Sequence, residues 1–138
     1  MFLKRAFVFL FSYFLFIAIS FSQEQSLVKN AILLNPEKEF DNVFVQKMYS
    51  DSLSSVFCIW IKKEVKLHKH IEHTEQVFVL KGKGKMILKD KEFEIKEGDV
   101  VSIPQNTPHK VTVIGDEILK VLSIHSPEFD GKDRVILE

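Results

Sequence analysis

The sequence predicts an all-β protein, a sandwich or a barrel, and three observations lead there. From Val43 to Ile124, short runs of alternating apolar and polar residues recur about every ten residues, which is the spacing of strands. Clusters of turn chemistry separate them, among them Ser50-Asp51-Ser52, Gly82-Lys83-Gly84, Glu97-Gly98-Asp99 and Gly115-Asp116. No stretch long enough for a helix of about three turns carries a 3.6-residue apolar period. Strands are accordingly predicted at 43–48, 55–62, 76–81, 85–89, 92–95, 100–103, 110–114 and 118–124.

Composition sets the outer limits. The chain has 138 residues, 19 Lys+Arg and 19 Asp+Glu, a length for one domain and a charge balance with no basic footprint for nucleic acid. With 46% hydrophobic and 28% charged residues the chain is expected to be globular rather than disordered. Cys58 is the only cysteine, so no intramolecular disulfide forms and stability must come from a core, a metal or a second subunit.

The amino terminus is a separate object, since seven of the 13 Phe fall within residues 1–22. Lys4 and Arg5 precede apolar stretches at 6–11 and 13–19, and small residues follow at Ala18, Ser20 and Ser22. This is the pattern of a secretory signal peptide cleaved after Ser20 or, preferably, Ser22; an uncleaved anchor is the competing reading, because the run approaches the ~20 residues that span a bilayer. The expected layout is a signal peptide at 1–22, an arm at 23–42, a barrel at 43–126 and a tail at 127–138 packed on it. A mature chain from Gln23 is expected to be periplasmic or secreted, with no membrane and no nucleic-acid partner. Within the arm, 31–34 reads as a short leading strand and Asn35-Pro36 as a break.

Alternation also assigns faces. Val56, Cys58 and Trp60 share one face of their strand, and Phe57, Ile59 and Ile61 the other. Both faces are apolar, so the strand is either covered on both sides or meets a partner, and a homodimer through it is expected.

The chemistry lies in the histidines. His68, His70 and His73 fall within six residues, and His109 closes the Pro104-Gln-Asn-Thr-Pro-His turn. On an extended segment His68 and His70 leave the same face at a separation one ion can bridge. Glu75 opens the next strand on the face of Val77 and Val79. If that strand pairs near the one entered at His109, three imidazoles and a carboxylate converge, a set suited to Mn, Fe, Co, Ni or Zn. The bland alternative is a solvated, Lys-rich loop, and Glu72 or His73 could replace Glu75 in another loop register.

The wider spacing is more specific. His68-x-His70-xxxx-Glu75-xxxxxx-Gly82, followed by Gly98-xxxxx-Pro104-xxxx-His109, resembles the two motifs of the cupin superfamily. Lys62 stands where the first motif opens with Gly, Asn106 replaces the Gly after the proline, and Val113 replaces the final Asn. None of these departures touches a ligand position, and Asn106 tolerates the left-handed turn that Gly would take. The resemblance covers about 43–126 and implies a small double-stranded β-helix, a jelly-roll barrel, with His68, His70, Glu75 and His109 holding one divalent transition metal at its centre. Gly82 and Gly84 read as a tight turn between two strands, where positive φ is needed.

The resemblance leaves two function classes. Three His and one Glu leave open positions on a six-coordinate metal, which implies a dioxygenase- or isomerase-like enzyme acting on a small sugar or organic acid. The other class is a non-catalytic module that binds a small molecule or the metal itself. Gln76, Lys81, Ser102 and His73 are the polar candidates for acid–base work in the cavity. Cys58 and Trp60 either line the cavity or belong to the core. His125 reads as structural or exposed, and Arg134, in a tail expected to wrap the barrel, as the partner of a carboxylate.

Overall fold

The computed structural model describes residues 28–138, so the segment read as a signal peptide lies outside the described residues. Ten strands follow in order: β1 (Val43–Ser50), β2 (Ser55–Ile61), β3 (Glu64–Lys69), β4 (Thr74–Lys81), β5 (Lys83–Leu88), β6 (Lys91–Lys96), β7 (Val100–Ile103), β8 (His109–Val113), β9 (Leu119–Ser126) and β10 (Val135–Ile136). They form two five-stranded sheets, β1-β2-β9-β4-β7 and β10-β3-β8-β5-β6, with antiparallel neighbours throughout. This is the all-β architecture expected, and the eight strands read from alternation all form, with ends moved by one to two residues.

Two strands escape that reading. β3 carries Lys66 and Lys69 and is broken by a register shift between Val65 and His68, so its alternation is too short to register. β10 is only two residues long. The leading strand expected at 31–34 does not form. The Asn30 side-chain carbonyl accepts from the Ile32 and Leu33 amides at 3.1 and 3.4 Å and folds that segment into a turn, satisfying donors a strand would need for its ladder.

The space between the sheets is filled by aliphatic side chains from both, with Ile61, Val79, Met86, Ile103, Leu119 and Val121 at its centre. Leu119 is fully buried at 0% exposure. Leu119→Ala is expected to cost about 2–5 kcal/mol from lost transfer energy and the cavity left behind, read as a lower urea midpoint with an unchanged slope.

The doubly apolar β2 has a direct explanation. Its inner residues face the core, and Cys58 and Trp60 form a second cluster with Leu80 on the outside of the sheet, roofed by Ala31, Leu34 and Phe40 of the arm. Two lysines latch that roof. Lys120 Nζ donates to the Ile32 and Leu34 carbonyls at 2.9 and 2.6 Å, and Lys62 Nζ donates to the Phe40 carbonyl at 2.6 Å. The chain itself therefore covers the face for which a second subunit was expected. Cys58 and Trp60 lie under the arm and not in the cavity.

The glycines do different work from the tight turn expected. β4 and β5 belong to different sheets, so Gly82 turns a corner between layers rather than closing a hairpin. Its φ is +81°, and a Cβ there would stand 2.6 Å from the Ile118 carbonyl oxygen. Gly84 lies inside β5 without positive φ, and is required by close packing: a Cβ would meet Val111 Cγ2 at 2.8 Å and Leu119 Cδ2 at 3.0 Å. Asn106 holds the left-handed conformation expected of it, at φ 56°.

Candidate metal centre

The four ligand candidates are brought together by the two sheets facing each other, not by the strand pairing anticipated. His68 on β3 and His109 on β8 are register partners in one sheet. Glu75 comes from β4 in the opposite sheet, where it pairs with Ile103 and His125. His70 lies just past β3, where its carbonyl accepts the Asn106 amide at 2.5 Å and so ties the two ligand-bearing loops together. One ligand atom from each of His68, His70, Glu75 and His109 falls within 4.8 Å of the others, and all four residues are buried.

Hydrogen bonds fix the tautomers. His68 Nδ1 faces the Lys66 carbonyl at 2.8 Å, His109 Nδ1 faces the Thr107 carbonyl at 3.0 Å, and His70 Nδ1 makes a short contact with the Asp133 carbonyl. A carbonyl only accepts, so each Nδ1 carries the hydrogen and donates it. In the neutral rings, each Nε2 is then a bare lone pair turned inward, the orientation metal-bound histidines take. Glu75 Oε2 joins them, 3.2 Å from His109 Nε2 and 3.6 Å from His70 Nε2.

Such a cluster of lone pairs and carboxylate requires a cation. His109 Nε2 is buried without a hydrogen-bond partner among the described residues. Burial works to raise the Glu75 pKa, but hydrogen bonds from His109 and His70, available when those rings carry a proton on Nε2, prevail and hold the carboxyl well below the usual range. Burial, with the positive potential of His109 and Arg134, pushes His68 down to about 3, so that ring is neutral near pH 7. Either extra protons or a metal ion must occupy the centre, and three imidazole nitrogens with one carboxylate oxygen fit a divalent transition metal.

Two residues outside the expected ligand set, Ser123 and His125, complete the centre. Ser123 Oγ donates to Glu75 Oε1 at 2.5 Å and stands 3.0 Å from His125 Nε2, whose hydrogen it accepts. Glu75 Oε1 is thereby engaged, leaving Oε2 toward the three imidazoles. Of the two readings of His125, structural or exposed, the structure takes the first: it is 4% exposed and bonds Ser123, and burial pushes its pKa down to about 4. The available signal was alternation on β9, where Ser123 and His125 continue the inward face of Leu119 and Val121.

The remaining candidates lie elsewhere. Ser102 donates to Gln76 at 2.7 Å on the exposed face, and Lys81 pairs with Glu117 at 3.0 Å in solvent. His73 is no ligand: its Nδ1 lies 2.5 Å from Asp133 Oδ2, and its Nε2 bonds the Glu128 carbonyl at 2.8 Å. Asp133 also accepts the amides of Ile71, Glu72 and His73 at 2.8, 2.8 and 3.2 Å. Asp133 rather than Arg134 ties the tail to the loop between β3 and β4. Glu72 is an exposed loop residue.

Beside the ligands lies a cavity of about 160 Å³. Among the described residues that line it, apart from the four ligand candidates, only His125 and Arg134 are polar; the others are aliphatic side chains, Met86, Phe57 and Phe129. Phe129, from the tail, stacks on His125 with ring centroids 4.4 Å apart and closes one wall.

Known proteins agree with this architecture. An uncharacterized protein of Aquifex aeolicus is 32% identical over 120 residues, 87% of this chain and 98% of that protein. One from Methanocaldococcus jannaschii is 43% identical over 72 residues, and the match covers 52% of this chain and 58% of that relative. Among solved structures, a double-stranded β-helix domain protein of Klebsiella pneumoniae superimposes with a TM-score of 0.69 at 15% identity, covering 82% of this chain and 98% of that one. The cupin domain model matches residues 55–125, a span that includes all four ligand candidates, and the chain belongs to the cupin domain family.

Proposed function

We propose that the protein binds a divalent transition metal (Mn, Fe, Co, Ni or Zn) through His68, His70, Glu75 and His109, and acts as a metal-dependent enzyme of dioxygenase or isomerase type on a small sugar or organic acid. The observation that carries this reading is the convergence of three Nε2 lone pairs and one carboxylate oxygen at the wall of a cavity large enough for a second molecule. A divalent ion held there would supply Lewis-acid polarisation of a substrate oxygen. The chain's own residues do the rest. The carbonyls of Lys66, Thr107 and Asp133 fix the imidazole tautomers, and Ser123 orients Glu75.

A second reading, a non-catalytic binding module, is favoured by one observation. Apart from the ligands, His125 is the only neutral acid–base group on the cavity wall. Export through the 1–22 segment belongs to the same proposal, as does a homodimer, through a surface other than the β2 face that the arm covers; sedimentation showing only monomer at high micromolar concentration would remove the dimer.

Element-resolved metal analysis of untagged protein from its native compartment tests the reading. About one Fe, Mn, Ni or Co per chain is expected and directs screening to oxygen-dependent or isomerase chemistry. Folded protein isolated without metal would move the assignment to the binding module.

A further inference from the structure

The cavity is a poor place for a sugar. A polyol needs a partner for each hydroxyl, and among the described residues the wall away from the ligand candidates offers no Ser, Thr, Tyr, Asn or Gln side chain. Each unpaired buried hydroxyl lowers affinity roughly tenfold or more. What the wall offers is aliphatic and aromatic surface around about 160 Å³, close to the ~150 Å³ apolar cavity that accommodates benzene. The occupant is therefore small, with an apolar body.

Its polar end is set by Arg134. The tail places Arg134 between Asp133, which is fixed by three loop amides, and β10, which pairs with β3 at His68 and Lys69. Although the residue is exposed, its side chain lines the same cavity as Glu75 and His68, and it forms no ion pair with a carboxylate of the described residues. A divalent ion offset by one carboxylate leaves a net positive centre, and Arg134 adds a second positive charge beside it. Positive charge facing an apolar cavity favours an anion, and a planar guanidinium matches a carboxylate.

Resting on the metal-binding reading above, we infer that the cavity takes a small monocarboxylate with an apolar body, a branched-chain or single-ring acid, and that Arg134 is the specificity residue that recognises its carboxylate.

Binding can be measured without turnover. Benzoate, isovalerate, benzamide and arabinose are titrated calorimetrically into the full mature protein, both metal-free and loaded with Zn(II), with metal content determined on the same samples. Benzoate and isovalerate are expected to bind at least tenfold more tightly than benzamide and arabinose. Arg134→Gln should weaken benzoate at least tenfold while leaving benzamide affinity and zinc content unchanged, which separates lost recognition from a displaced tail. Arg134→Lys should recover part of the loss. Equal affinity for benzoate and benzamide, unchanged benzoate affinity in Arg134→Gln, or tighter arabinose binding would each overturn the inference. Failure to take up zinc would instead sink the metal-binding reading, while the Arg134 dependence in metal-free protein still decides the carboxylate site.

Discussion

His109→Ala is expected to lose metal almost completely, with affinity falling by more than about a hundredfold, beyond the ~10–100-fold that follows loss of an outer-shell partner. The reason is geometric. His109 is buried, its Nδ1 hydrogen is committed to Thr107, and its Nε2 has no hydrogen-bond partner among the described residues, so the ring's only free donor atom points into the centre. His70→Ala should remove metal equally and also loosen the tail, because His70 Nδ1 donates to the Asp133 carbonyl. Glu75→Gln should weaken binding more modestly, since an amide oxygen is a poorer donor than a carboxylate and Ser123 can still donate to it. Elemental analysis of the three variants beside the wild type gives the order. Unchanged stoichiometry in both histidine variants would overturn the ligand assignment, and a uniform loss with collapsed circular dichroism would point to the fold instead.

The sequence revealed the barrel and the cluster of ligand candidates more readily than their surroundings, for a physical reason. Strand alternation and turn residues are local signals, so eight of the ten strands could be read from them. The four ligands sit at spacings that two short motifs preserve, whatever lies between them. By contrast, Ser123 and His125 matter because β9 lies beside β4 and places them against Glu75, a fact of sheet order that no local window contains. The same holds for the outer face of β2. Its apolar character suggested a partner, but the arm that covers it is irregular chain held by Lys120 and Lys62, with no periodicity to announce it. His73 shows the converse: it lies among the candidate histidines in sequence and could have replaced Glu75 only in another loop register, and its partner is Asp133, 60 residues away.

That partnership makes Asp133→Ala the other large effect expected. Asp133 accepts three loop amides and His73 Nδ1, and its own carbonyl accepts from His70. Removing the carboxylate strips four donors of their acceptor, two of them half-buried, and a loss of about 3–5 kcal/mol is expected. Burial alone would raise the Asp133 pKa, but His73 and the loop amides hold it far below the usual range. Its contribution is therefore complete above its unfolded value of about 4 and fades as pH falls toward the depressed folded value. His73 runs the other way. Burial works against its charge, but Asp133 prevails and raises its pKa, so its contribution is complete below about 6.5 and is lost as pH rises through the raised value. The difference in denaturation midpoint between wild type and Asp133→Ala should thus be greatest between about pH 4 and 6.5 and shrink on either side. Asp133→Asn, which keeps one acceptor oxygen but loses the charge, should fall between the two. Because His70 loses its tautomer-fixing carbonyl when the tail detaches, metal affinity should drop by about 10–100-fold in Asp133→Ala even though no ligand is altered. A variant that keeps wild-type metal affinity and a pH-independent midpoint difference would show that the tail neither orients His70 nor depends on the His73–Asp133 pair.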